Sequence, residues 1–161
     1  MTPVDPTAFR QLLGRFATGV TVVTTLDAAG KPCGMTASSL AAVSLDPPLL
    51  LVCVDRHGDF GPVLLNAATF AVNVLAADQE ALSRRFAADG IDRFNGVSWS
   101  AGPGSIPLLA GAVAHIVCER EHDVESGDHR VFFGRVMDGT SFDRPPLLHF
   151  RGRYTSTTAE A

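Results

Sequence analysis

The chain has 161 residues, of which 46% are hydrophobic and 19% charged, and its formal net charge is −4 at pH 7. This size and balance are typical of one folded domain and exclude a disordered chain. Lysine occurs once, at Lys31, and the sequence has no run of basic residues. We therefore expect small-molecule partners and no nucleic acid.

The compartment is predicted from the first residues and the cysteines. The start of the chain has no basic segment followed by an apolar one, and every apolar run is far shorter than the roughly 20 residues that span a bilayer. Cys33, Cys53 and Cys118 are odd in number and widely spaced, which favours buried, unpaired thiols in a reducing compartment. We expect a cytoplasmic protein without a membrane segment.

The first predicted element is a short helix with Asp5 as its cap and Pro6 in its first turn. Its apolar residues recur at helical spacing and predict a packed face: Phe9, Leu12, Leu13 and Phe16. A β-hairpin over 20–39 follows, with a β-branched first strand and a turn at AAG.

The middle of the chain predicts buried strands and short helices. Pro47 and Pro48 form a connection that leads into a strand over 49–54, buried on both sides. A short helix or turn over 63–68 and a strand over 70–75 come next. A further helix is predicted with Asp78 as its N-cap and Gly90 as its end.

The second half predicts a long hairpin over 112–138 that turns at ESGD, and a last strand over 147–157. The final residues TAEA are expected to fray, so the ordered core covers about 8–156 of a single domain, 1–161. Six or seven strands follow one another with few helices between them, which favours an antiparallel barrel or sandwich.

Familiar catalytic motifs are missing from the sequence. Cys118 and His122 share a face of a predicted strand but are about 13 Å apart, so we expect no metal site. No G-x-S-x-G motif indicates a nucleophile, and we assign no catalytic residue. The glycine-rich GPGSIP, 102–107, has no helix behind it, so a turn between strands explains it better than a phosphate loop.

Two polar segments remain, and each has two interpretations. The small residues TASS are either a strand end or turn, or the lining of a groove where a flat polar ring approaches the backbone: Thr36, Ala37, Ser38 and Ser39. The segment GDH is either a hairpin turn, or a turn that places His129 over a pocket mouth. Composition alone does not decide between them.

Five segments, taken in order, resemble the flavin reductase-like family over residues 9–154. They are FATGVTVVTT (16–25), GMTASSLAAVSLDPPLLLVCV (34–54), FAVNVLAADQEALSRRFA (70–87), DRFNGVSWSAGPGSIPLLAGAVAHIVCE (92–119) and GDHRVFFGRV (127–136). The resemblance implies a mainly β fold, a split antiparallel β-barrel of the FMN-binding, Greek-key type. It also implies a homodimer with FMN or FAD near the interface, NADH or NADPH as reductant, and a separate monooxygenase that receives reduced flavin.

The resemblance also implies site residues. The flavin contacts are Thr36, Ala37, Ser38, Ser39, Cys53, Val54, Asp55, Arg56, Phe60, Arg93 and Phe94. The NAD(P)H contacts are Gly127, Asp128, His129 and Tyr154. One departure concerns the phosphate, because Asp55 and Asp59 stand where many relatives carry asparagine and serines, and their charge opposes a phosphate.

This interpretation explains the missing catalytic motif. Hydride passes between the two cofactors, and the protein orients their rings about 3.5 Å apart. Backbone N–H groups and hydroxyls at TASS are expected to stabilise negative charge on the reduced ring. Two alternatives stay open: a flavin- or haem-binding module without turnover, and a flavin-dependent oxidase on the same barrel.

Overall fold

The computed structural model describes residues 2–157, and the predicted fraying end TAEA lies outside the described residues. The helices of the described part are α1 (Pro6–Leu13), α2 (Phe60–Asn66) and α3 (Glu80–Phe86). The strands are β1 (Thr18–Gly19), β2 (Thr21–Leu26), β3 (Pro32–Ala37), β4 (Ala41–Leu45), β5 (Pro48–Asp55), β6 (Thr69–Val74), β7 (Trp99–Ala101), β8 (Pro107–Leu109), β9 (Ala114–Ser126), β10 (His129–Ser141), β11 (Leu147–Phe150) and β12 (Arg153–Ser156). None of these helices has the length and apolar character needed to cross a membrane.

Seven antiparallel strands form the main sheet, in the order β3-β2-β6-β9-β10-β5-β4. The mainly β, antiparallel fold class is thereby confirmed, as are the predicted β2–β3 and β9–β10 hairpins. β3 and β4 are the edge strands of this order, so the sheet stays open between them. Ser39, just after β3, bonds to the backbone of Cys53 in β5 and links the two sides of this opening.

Two hydrophobic clusters carry most of the core. One contains Val23, Val52, Leu64, Phe70 and Phe132, and the other contains Val22, Leu75, Phe86, Leu109 and Leu147. The buried Asn73 of β6 links β2 to β8. Its Nδ2 donates to the Val22 carbonyl, and its Oδ1 accepts from the Leu109 N–H. GPGSIP is the predicted turn, with a 3₁₀ segment at Pro103–Ser105 between β7 and β8.

The N-terminal helix confirms its predicted cap but not its predicted packing. Asp5 Oδ1 accepts hydrogen bonds from the N–H groups of Thr7 and Ala8 at 2.8 and 3.0 Å. The apolar residues that were expected to pack are exposed by half or more: Phe9, Leu12, Leu13 and Phe16. Helical spacing predicts an apolar face, but it contains no information about what covers that face.

Four further predictions about elements were wrong in detail. Gln79, not Asp78, precedes α3, and Asp78 instead pairs with Arg144 at 2.7 Å. The single last strand is a hairpin, β11–β12, that turns at Arg151 and Gly152. The strand 49–54 fully buries only one face: Leu50, Val52 and Val54 are buried, whereas the side chains of the other face are half-buried. Residues 2–157 contain twelve strands where six or seven were predicted, since short pairs such as β7–β8 leave no period to detect.

The cysteines and α2 also differ from expectation. Cys118 is buried as predicted, but Cys33 and Cys53 are only half-buried. Burial raises the pKa of the Cys118 thiol to about 12, and it also raises the pKa of Cys33, together with the negative charge of Asp27. α2 begins at Phe60, three residues before the predicted helix or turn over 63–68.

Candidate functional site

A cavity of about 650 Å³ lies where β3, the loop after β5 and the end of α3 meet. We call it the β3–β5 groove. Its lining is Met35, Thr36, Val54, Asp55, His57, Gly58, Asp59, Phe60, Phe86, Ala87, Asp89, Gly90 and Arg93. Five of the predicted flavin contacts are in this set, so the fold brings together residues that lie far apart in the sequence.

The segment TASS ends β3 and crosses towards β5, and its outer hydroxyls hold it in place. Thr36 Oγ1 donates a hydrogen bond to the Ser83 carbonyl oxygen at 2.7 Å. Ser39 Oγ accepts from the Cys53 N–H at 2.9 Å and donates to the Cys53 carbonyl at 3.1 Å. Ala37 is buried, whereas Ser38 is exposed and lies beyond the last β2–β3 pair. TASS is therefore both a strand end and part of a groove wall.

Arg93 is a structural clamp as well as a lining residue. Its Nε donates to the Ala88 carbonyl at 2.8 Å, and its Nη1 donates to the Gly34 carbonyl at 3.2 Å. Its guanidinium also pairs with Asp59 at 2.9 Å and with Asp89 at 3.2 Å. Only 11% of its side chain is exposed. A phosphate bound here would compete with two carboxylates for one cation.

Phe94 belongs to the core behind this clamp. Its ring meets Phe86 edge-on at 5.0 Å and Trp99 at 6.1 Å. It also lines a second cavity of about 270 Å³, which includes Cys33 and shares Arg93 with the β3–β5 groove. Phe94 thus supports the residue that closes one side of the groove.

The groove suits a flat ring better than a phosphate. Its volume falls within the usual range for small-molecule sites, and Met35, Val54, Phe60 and Phe86 supply apolar walls. Its rim carries three carboxylates, Asp55, Asp59 and Asp89, while its cation Arg93 is already paired. The three carboxylates and the paired Arg93 disfavour a phosphate here, a conflict that the sequence indicated for Asp55 and Asp59.

The predicted GDH segment is the turn between β9 and β10, and it lies beside the end of β5. His129 is the register partner of Asp55. The N–H of Arg56 donates to the Asp128 carbonyl at 3.0 Å, and its guanidinium donates to the Gly127 carbonyl at 3.2 Å. The segment Cys53–Arg56 and the segment GDH, predicted for different ligands, are therefore neighbours.

Asp128 and His129 form a close pair at the surface. His129 Nδ1 donates to Asp128 Oδ1 at 2.7 Å, and 46% of the His129 side chain is exposed. The hydrogen bond from His129 and its nearby charge lower the pKa of the Asp128 carboxyl. This hydrogen bond holds the His129 ring in one orientation.

Tyr154 lies apart from the GDH turn. Its hydroxyl is 2.9 Å from Ser83 Oγ, the Arg84 guanidinium lies 4.9 Å from its ring centroid, and His149 meets it edge-on. None of these contacts involves His129. The predicted NAD(P)H contacts therefore form two groups, the GDH turn and Tyr154. Ser83 joins Tyr154 to Thr36 and was missed from the sequence. Its only signal was a small polar residue beside the apolar face of α3.

Known proteins share this architecture and much of the sequence. The family model described as "Flavin reductase like domain" matches residues 13–158. The reductase subunit HsaB of a flavin-dependent monooxygenase from Rhodococcus jostii is 42% identical over 94% of this chain and 78% of its own length. The chain spans about half, 48%, of a Rhizobium meliloti relative that is 45% identical to it.

A solved structure shares the fold along the whole chain. It is the Streptomyces globisporus NADH:FAD oxidoreductase SgcE6 in complex with NAD and FAD fragments. The two chains are 42% identical, the TM-score is 0.91, and the match covers 100% of this chain and 99% of the other. The family match, the close relatives and the shared fold agree with one another. The chain belongs to the flavin reductase-like family.

Proposed function

We propose that this oxidoreductase reduces FMN or FAD with NADH and delivers the reduced flavin to a separate monooxygenase. The observation that carries the proposal is the β3–β5 groove, whose apolar walls and small-residue edge suit a flat ring. The names of the two similar proteins, an NADH:FAD oxidoreductase and a monooxygenase reductase subunit, support the same activity. NADPH is the less favoured reductant, and the choice between FMN and FAD rests on experiment.

The proposed role of TASS is to hold the ring. Thr36 and Ser39 use their hydroxyls to tie the segment to Ser83 and Cys53, so its backbone is rigid before a ligand arrives. Ser38 lies beyond the strand ladder, and its N–H and hydroxyl are proposed to donate to the polar edge of the ring. Fixed donors stabilise developing negative charge without reorganising during the reaction.

The walls of the groove are proposed to position the ring and exclude water. Val54, Phe60 and Phe86 are buried apolar residues of its lining. The bound nicotinamide and flavin supply hydride transfer, so the protein needs no acid or base of its own. Orientation in a water-excluding groove is the contribution of this chain.

His129 is proposed to contact the nicotinamide. Asp128 holds its ring in one orientation, and the register with Asp55 places the turn beside the groove. Gly127 and the Arg56 side chain brace this turn. Tyr154 of β12 is proposed to contact the same ligand, and its hydroxyl bonds to Ser83 of α3.

A homodimer and a cytoplasmic location complete the proposal. A cavity of about 500 Å³ is lined mainly by apolar residues of β4, β5, β9 and β10, and Leu45 at its edge is 95% exposed. Exposed apolar surface of this kind is typical of protein–protein interfaces.

Half-buried free thiols at Cys33 and Cys53 fit a reducing compartment. We treat the chain as one domain.

Anaerobic absorbance spectra of the purified protein with FMN or FAD test the proposal. On addition of NADH, a reductase bleaches flavin present in large molar excess, because it turns over. A binding module leaves the spectrum unchanged after mixing. A flavin-dependent oxidase retains its flavin through gel filtration, whereas the proposed reductase loses it. An unchanged spectrum after NADH is added would contradict the proposal. Flavin that stays with the protein through gel filtration would also contradict it.

A further inference from the structure

Four arginines on or beside α1 and in the β11–β12 hairpin form no ion pair within residues 2–157. Seven of the twelve arginines form ion pairs, and Arg85 donates to the carbonyls of Arg93 and Asn95. In the described part of the chain, the other four have no carboxylate within 4 Å: Arg10, Arg15, Arg151 and Arg153. Arg10 is in α1, Arg15 lies two residues after its end, and the other two are in the β11–β12 hairpin, far away in the sequence.

Three of them surround one cavity. It has a volume of about 430 Å³ and is lined by Thr7, Arg10, Gln11, Gly14, Arg15, Arg151 and Gly152, with no carboxylate among them. This is unusual in a chain with a net charge of −4. The last turn of α1 contributes only about half a negative charge, so it accounts for a small part of three guanidinium charges.

The hairpin turn that contains Arg151 has an unfavourable backbone conformation for arginine. Arg151 has φ +51° and Gly152 has φ +74°, so both central residues are left-handed. Two-residue turns of this kind favour Asn-Gly, and an arginine in the first position costs free energy. The Arg151 N–H donates to the Gly14 carbonyl at 2.9 Å, and its guanidinium lies 5.1 Å from the Phe150 ring centroid. The strained residue is thus held against α1.

This cluster adjoins the candidate site through β12. Arg151 lies in the turn that leads into β12, and Tyr154 is the second residue of β12. Tyr154 bonds to Ser83, which bonds to Thr36 in the β3–β5 groove. The groove itself rejects phosphate, because Asp55, Asp59 and Asp89 form its rim and Arg93 is already paired.

We propose that Arg10, Arg15 and Arg151 bind the diphosphate of an adenine dinucleotide. Planar guanidinium groups bind phosphate oxygens through paired hydrogen bonds, and three of them more than balance the two negative charges of a dinucleotide diphosphate. The identity of the anion rests on the proposed function, since FAD and NADH both contain an ADP portion. The arginines are exposed, so the affinity falls as salt concentration rises.

Calorimetric titration with ADP tests the site without any turnover. ADP and inorganic pyrophosphate are expected to bind, and adenosine to bind far more weakly. Arg151→Asn keeps a residue that suits the turn, so the variant folds, and its ADP affinity is expected to fall about tenfold. Arg135→Ser, which removes an equal charge from an exposed pair with Glu121, serves as the control and should bind ADP like the parent.

Kinetics distinguish the two dinucleotides. If the site holds FAD, Arg151→Asn raises the KM for FAD and leaves that for FMN unchanged. If it holds NADH, the KM for NADH rises with either flavin. ADP binding that is lost in Arg151→Asn supports the site even in a protein that does not oxidise NADH. Unchanged ADP affinity and unchanged KM values in an active variant would overturn the inference, as would a change confined to the oligomeric state.

Discussion

Thr36 and Ser83 are joined by a hydrogen bond of 2.7 Å, from the hydroxyl of the groove residue to the helix carbonyl. Thr36→Val keeps the shape of the side chain and removes this donor. We expect the free energy of unfolding to fall by about 1 kcal/mol, because the carbonyl of the buried Ser83 loses one of its two donors and keeps only the Ala87 N–H. Urea unfolding measures the change. Thr36→Ser retains the hydroxyl and is the matched control; equal stability of Thr36→Val and the parent would contradict the assignment.

Arg93 is expected to matter more for stability than any surface ion pair. Arg93→Met removes hydrogen bonds to two carbonyls and two carboxylates, and we expect a loss of about 2 kcal/mol in the free energy of unfolding. Arg135→Met breaks an exposed pair with Glu121, and we expect a loss of about 0.5 kcal/mol at most. Chemical denaturation of both variants provides the comparison. Similar losses in the two would show that Arg93 is not a clamp.

His129 is expected to affect one substrate more than the other. His129→Ala should raise the KM for NADH by several-fold and change the KM for flavin little, because the ring lies at the GDH turn and not in the groove lining. His122→Ala is a suitable control, since His122 stacks on Phe133 in the same hairpin. Steady-state kinetics with each substrate varied in turn measure this. An equal effect on both KM values would remove His129 from the nicotinamide site.

The thiols of Cys118 and Cys53 are expected to react with an alkylating reagent at different rates. Burial raises the pKa of Cys118 to about 12, so at pH 8 its reactive thiolate form is nearly absent. We predict that iodoacetamide labels Cys118 only after unfolding, whereas the half-buried Cys53 reacts in the native protein. Mass spectrometry of digests, with a sample in denaturant as control, locates the labels. Rapid native labelling of Cys118 would contradict its burial.

Local sequence patterns made much of the fold predictable. The β-branched run of β2, the turn before β3 and the cap at Asp5 each depend on neighbouring residues, and all three are present in the structure. The exposed face of α1 was not predictable, because it depends on what covers the helix. The β11–β12 turn was missed, since Arg151 occupies a left-handed position that usually belongs to asparagine or glycine.

The site was less accessible to sequence reasoning than the fold. Family resemblance indicated Thr36, Val54, Asp55, Phe60 and Arg93, and the fold does gather them around one groove. The clamp role of Arg93, the bridge through Ser83 and the arginine cluster at α1 arise from long-range contacts. No spacing in the sequence records such contacts, because the residues involved lie on separate elements.

Steady-state NADH oxidation by the purified protein, with FMN, FAD or riboflavin added in turn, tests the central claim most directly. The account predicts that NADH is consumed only when free flavin is present, and that the rate saturates with flavin concentration. The reactions run at low salt and are repeated with NADPH. Failure to oxidise NADH or NADPH above background with all three flavins would contradict the account.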